Sequence, residues 1–160
     1  MKKIMPRGEE MYSSDVFNIL FEYEIARCKR YPTPLALLQI EMTSSTSNEN
    51  TEDNTASIFA SALNAHLRSV DIASKTGNTF MLLLPASDEH GAHAVCDRLL
   101  SVFKNKFDTQ SGGSVAFSLQ IGAAAHGGGS DISGDELLQK TEKALKESKS
   151  KGPNTFVLIP

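Results

Sequence analysis

The chain has 160 residues and a mass of 17.3 kDa, with 40% hydrophobic and 22% charged residues, a composition that suits one folded domain and excludes a disordered or disulfide-stapled chain. Sixteen Lys+Arg against nineteen Asp+Glu leave a formal charge of −3, so no global positive field draws in nucleic acid or an anionic membrane, and an anionic ligand must be held locally. No apolar run reaches the roughly 18 residues of a spanning helix, Met1-Lys2-Lys3-Ile4-Met5-Pro6 lacks a signal peptide's apolar region, and two cysteines, Cys28 and Cys96, make neither a disulfide framework nor a zinc set, so a cytoplasmic chain with reduced, packed thiols is expected.

Residues 1–12 are polar, with Pro6 and Gly8, and read as a flexible lead-in to a single domain over 13–160. From Asp15, a suitable N-cap, the apolar positions Phe17, Leu20, Phe21, Ile25 and Cys28 recur at helical spacing until Tyr31-Pro32-Thr33-Pro34 stops the run. Leu35 to Met42 is short and mostly apolar, the pattern of a strand buried on both faces. Residues 43–55 contain only Ser, Thr, Asn, Glu and Asp and predict a mobile surface loop. Ile58, Phe59, Ala62, Leu63, His66, Leu67 and Val70 trace one face of a second helix, with Arg68 off that face near its C-terminal end. Asp71–Thr76 and Thr79–Leu84 flank Gly77-Asn78, two residues that tolerate positive φ, and predict a hairpin. Pro85-Ala86-Ser87-Asp88 caps a third helix with a stripe of Ala92, Val95, Cys96, Leu99, Leu100 and Phe103, and Arg98 beside it. A strand over Val115–Ala125, a flexible Gly127-Gly128-Gly129 loop, a helix bearing Leu137, Leu138, Thr141, Ala144 and Leu145, and a strand over Thr155–Ile159 complete the order. A hairpin among crossovers requires a mixed sheet, largely antiparallel, with helices packed against it.

Glu24-Ile25-Ala26-Arg27-Cys28-Lys29-Arg30, Pro34-Leu35-Ala36-Leu37-Leu38, the hairpin from Asp71 to Pro85, Ser118-Leu119-Gln120-Ile121-Gly122, and the run from Ala144 to Asn154 follow one another in a fixed order. Together they resemble the GGDEF domain family, the diguanylate cyclases that join two GTP into cyclic di-GMP. The resemblance implies an α+β fold of the nucleotidyl-cyclase palm type. It also marks departures. The family's metal-holding D-x-D reads Gln39-Ile40-Glu41, and its signature turn reads Lys75-Thr76-Gly77-Asn78-Thr79-Phe80, shorter by one residue and without a carboxylate. Two carboxylates hold the divalent metal in an active member, so the departures predict a chain that is not an enzyme, with no catalytic residues, no cofactor and no metal.

The family's inhibitory nucleotide site, R-x-x-D, is matched by Arg68-Ser69-Val70-Asp71, and a further arginine of that site by Arg98. The resemblance implies cyclic di-GMP as ligand of Arg68, Asp71 and Arg98: guanidinium groups suit guanine O6 and N7 and the phosphates, and a carboxylate suits guanine N1 and N2. The bland reading of Arg68 and Asp71 is an ion pair at a helix end, worth at most about 1 kcal/mol when exposed. Lys149 matches a phosphate-contacting lysine of the family, or is a solvated helix-end residue. His90 and His93 stand a turn apart without a third ligand nearby, and His126 beside the three glycines lacks a phosphate loop's Gly-Lys-Ser/Thr ending. The expected function is a non-catalytic cyclic di-GMP receptor that relays messenger level to a protein partner of a bacterial signalling or biofilm-type output, without nucleic acid or membrane span and with a possible homodimer. The alternative is a protein-interaction or dimerisation module without ligand. An active cyclase using substitute ligands is a third.

Overall fold

Leu35, Leu37 and the alternating Ala36, Leu38, Ile40 and Met42 are all buried, so the strand that carries them, β1 (Leu35–Thr46), has apolar layers on both sides. The structure, a computed structural model, describes residues 8–46, 52–109 and 112–160. Six strands and four helices lie among the described residues. The others are α1 (Ser14–Arg30), α2 (Glu52–Ala65), β2 (Ile72–Thr76), β3 (Thr79–Pro85), α3 (Glu89–Val102), β4 (Phe107–Asp108), β5 (Ser114–His126), α4 (Gly134–Lys151) and β6 (Thr155–Ile159). The sheet runs β2-β3-β1-β5-β4, with β6 also on β5; the β5–β6 pair is parallel and the other pairs are antiparallel. The mixed α+β class expected from the element order is the class observed.

One face of the sheet carries the larger cluster, where Phe59 and Leu63 of α2 and Ala92, Cys96 and Leu99 of α3 pack on Ile40, Phe80, Leu82 and Ile121. Phe59 is its centre, with ring centroids 4.5 Å from Phe103, 4.7 Å from Phe80 and 5.3 Å from Phe117. Burying such a side chain contributes about 1.5–3 kcal/mol. The other face holds Leu35, Leu37, Leu83 and Ala124 against Phe17 and Cys28 of α1 and Leu137 of α4. Both cysteines are free thiols inside these clusters.

Several elements depart from the expectations. Ser13, not Asp15, is the N-cap of α1, its hydroxyl accepting from Val16 N; Asp15 sits in the first turn, where its charge complements the helix dipole. Within the expected 43–55 loop, 43–46 extend β1 because they pair with 115–118 of β5, and residues from 52 onward open α2; 47–51 lie outside the described residues. Helix α2 stops at Ala65, leaving Leu67, Arg68 and Val70 in a turn, with Val70 55% exposed. His66 N and Leu67 N bond back to Leu63 O and Asn64 O, three residues behind, and the Asp71 carboxylate takes Arg68 N, so a side chain competes with the helix for the backbone. The short β4 is an element that the periodicity did not signal. Gly127–Gly129 is a pinned turn instead of a flexible loop, since Gly128 N donates to His126 Nδ1 (2.8 Å) and Gly129 N to Cys28 O (2.9 Å).

Candidate functional site

The turn between α2 and β2 brings Arg68 and Asp71 together as their spacing predicts. Asp71 is buried, with a side chain 2% exposed, whereas the Arg68 side chain is 48% exposed. Arg68 Nη2 donates to Asp71 Oδ1 (2.7 Å), Nε to the same oxygen (3.1 Å), and Arg68 N to Asp71 Oδ2 (2.8 Å). Nη2 also donates to Pro85 O (2.7 Å) and Ser87 Oγ (3.2 Å) at the end of β3. Between those two acceptors Ala86 has φ 56°, a left-handed conformation that costs a non-glycine residue about 1–2 kcal/mol. That turn sets the Pro85 carbonyl and the Ser87 hydroxyl on one side, facing the guanidinium. From α3, Arg98 Nη2 donates to His66 O (3.0 Å), so both arginines bracket the same 66–71 turn.

The arrangement therefore groups all three expected residues, but gives them unequal parts. Arg68 and Arg98 present planar donors and charge at an exposed corner. Asp71 lies beneath, holding Arg68; a base edge reaches its carboxylate only where Arg68 gives up those bonds. The Pro85 carbonyl, the Ser87 hydroxyl and the His66 carbonyl belong to the corner and were not foreseen.

A second region lies on the α4 side of the sheet. Gln39 and Glu41 of β1 point to the same face as Leu35 and Leu37, and Glu41 forms an ion pair at 2.5 Å with Lys149 of α4, whose side chain stays 44% exposed. Gln39 Oε1 is buried without a hydrogen-bond partner. At the hairpin, Asn78 O accepts from Met42 N (3.0 Å), and only Gly77 takes positive φ (61°). A divalent metal of the kind the resemblance implies needs several hard, anionic oxygens. One orphaned amide oxygen beside one carboxylate already neutralised by lysine does not fit it. His93 Nδ1 meets Asp97 Oδ2 (3.2 Å) and stands edge-on to Phe156, placing it in surface packing along α3.

Comparison with known proteins adds the lineage. The family profile described as "Diguanylate cyclase, GGDEF domain" matches residues 11–155. Diguanylate cyclase DosC of Escherichia coli K12 is 31% identical over 146 residues, covering 87% of this chain and 31% of DosC. The chain thus spans about a third of the length of the curated relatives it matches. Among solved structures, the GGDEF domain of DgcB from Caulobacter crescentus in complex with c-di-GMP superposes with a TM-score of 0.72 at 16% identity, covering 99% of this chain and 96% of that one. Diguanylate cyclase SiaD from Pseudomonas aeruginosa, in complex with its activator SiaC, superposes with a TM-score of 0.77 at 16% identity, covering 93% of this chain and 59% of that one. These structural likenesses show the fold. The DosC match corrects the expectation that the chain is not an enzyme: likeness to a diguanylate cyclase at 31% identity over 87% of the chain points to a cyclase. That expectation rested on Gln39, Asn78 and Thr79, whereas the likeness runs through 146 residues.

Proposed function

The chain belongs to the diguanylate cyclase GGDEF domain family, and we propose that it binds cyclic di-GMP at the corner of Arg68, Asp71 and Arg98 and passes the occupancy of that corner to a protein partner. The observation that carries this reading is the half-exposed Arg68 guanidinium, fixed by Asp71, Pro85 O and Ser87, with Arg98 anchored on the same turn. A pre-positioned guanidinium loses little freedom on binding, and its planar fork matches guanine O6 and N7 or a phosphate. Two such groups suit a ligand with two bases and two phosphates. The ligand class is further supported by DgcB, whose domain of this fold is described in complex with c-di-GMP, and the protein partner by SiaD, described with its activator.

Calorimetry tests the proposal. Cyclic di-GMP should bind the whole chain with micromolar or better affinity, and Arg68→Ala should weaken binding at least tenfold, about 1.4 kcal/mol, with Arg98→Ala weakening it less. Cyclic di-AMP lacks the O6 acceptor, so it should bind at least tenfold more weakly, an unmet partner of a charged donor costing about 1–3 kcal/mol. No heat at tens of micromolar protein, or equal binding by the Arg68→Ala variant, overturns the reading.

A second reading, a protein-interaction or dimerisation module, is favoured by one face of α1, where Val16 (41%), Ile19 (58%) and Tyr23 (71%) are exposed at helical spacing. Sedimentation velocity tests it: self-association reversed by Ile19→Lys supports that reading, and a monomer at every concentration rejects dimerisation.

A further inference from the structure

Residues 8–12 run from α2 to the edge of β2, and each end of the run is tied down. Asn64, near the end of α2 and 6% exposed, donates through Nδ2 to the carbonyls of Gly8 (3.0 Å) and Glu10 (2.8 Å). Tyr12 N donates to Ala73 O (2.9 Å), and Tyr12 forms a parallel bridge with Ser74 of β2. Met11 packs against the larger core cluster between the two ties. The turn carrying Arg68 and Asp71 lies between Asn64 and Ala73 in sequence. End of α2, turn, start of β2 and the 8–12 strap therefore form one closed circuit.

Asn64 belongs to both halves of that circuit. Its side-chain amide holds the strap, while its backbone carbonyl accepts from Leu67 N (3.2 Å), the bond that starts the turn into Arg68. Its own Oδ1 is buried without a hydrogen-bond partner. An orphaned acceptor weakens a joint, because it forgoes a bond that water would supply. If the strap leaves, the two donors of Nδ2 lose their partners as well, and the side chain must turn toward water from the last turn of α2. That movement acts on the Leu67 N bond and through it on the corner.

We infer that docking of the 8–12 strap on Asn64 and Ala73 and occupation of the Arg68 corner by a cyclic dinucleotide favour each other. The inference rests on the binding reading above and names its regulation: the strap leads directly into α1, so occupancy of the corner is transmitted to the N-terminal side of the domain. Such coupling is reciprocal, since whatever one event does to the equilibrium of the other is returned by the same factor.

The test combines amide exchange with calorimetry on the whole chain, using cyclic di-GMP as the probe. Saturating ligand should slow exchange at Tyr12 N by about fivefold or more, and Asn64→Ala and Tyr12→Pro should each weaken binding by a similar factor. The proline variant removes only the second tie, at a residue 45% exposed, and carries the test where Asn64→Ala does not fold. If the wild-type chain binds the dinucleotide while Tyr12 exchange is unchanged, or both folded variants bind as tightly as wild type, the coupling is wrong and the binding reading stands. If the wild-type chain gives no heat, the binding reading fails and the coupling falls with it.

Discussion

Asp71 decides what Arg68 is able to do. A lone arginine on an exposed turn samples many rotamers and is worth little to a ligand, because each binding event must first fix it. Here a buried carboxylate takes Arg68 N, Nε and Nη2, so the side chain is held in one orientation, as the proposed binding requires. Asp71→Asn keeps the shape but replaces a charged acceptor with an amide, which leaves the guanidinium less restrained and one buried group poorly matched. The expected outcome is a loss of about 1–3 kcal/mol of stability, read by thermal melting, together with about tenfold weaker binding of cyclic di-GMP. Ser87→Ala removes the 3.2 Å bond from Arg68 and the longer one that the Ser87 hydroxyl donates to Pro85 O (3.4 Å), and it should weaken binding by a smaller factor, with a smaller change in melting than Asp71→Asn. Unchanged melting and unchanged affinity in Asp71→Asn would sink the positioning role.

Helix α4 approaches the sheet so closely that Gly122 of β5 has no room for a side chain. A Cβ placed there would lie 2.2 Å from Leu145 N and 2.4 Å from Thr141 O, both backbone atoms that cannot swing aside. Gly122→Ala should therefore push α4 off β5, costing about 3 kcal/mol or more and lowering Tm by roughly 6–12 °C in a domain of this size, as calorimetric melting would record. Gly122 was legible in the sequence through its resemblance to a family motif, and the hairpin through Gly77-Asn78, because both signals are local. The continuation of β1 through Thr46 was not, since its Ser and Thr residues are held by pairing with β5, about 70 residues away in sequence, a contact that composition does not encode. The end of α2 was missed for the same reason in reverse: Leu67 and Val70 continue the helical period, but the Asp71 carboxylate captures Arg68 N and turns the chain. Of the site, Arg68 and Asp71 were readable as a spacing and Arg98 as a register. Pro85 O and Ser87 were not, because they face Arg68 only through the left-handed turn at Ala86, a residue type that gives no such signal.

At the scale of the whole molecule, one buried thiol links stability to pH. Cys96 lies on the core face of α3, fully buried, and desolvation, with a smaller contribution from the charge of Asp97, pushes its pKa from 9.0 up to about 12. The thiol consequently keeps its proton in the folded chain throughout the range in which the unfolded chain gives it up. Below pH 9 both states hold the proton and Cys96 leaves stability independent of pH. Between about pH 9 and 12 the unfolded state binds fewer protons than the folded one, so this group makes stability fall as pH rises. Comparison with Cys96→Ala isolates this group: the melting temperature of wild type should drop more steeply from pH 8.5 to 10.5 than that of the variant. Equal slopes would show that the thiol ionises alike in both states. The same burial should leave Cys96 unmodified by a thiol reagent at pH 8 in the native chain and reactive once the chain is unfolded in denaturant.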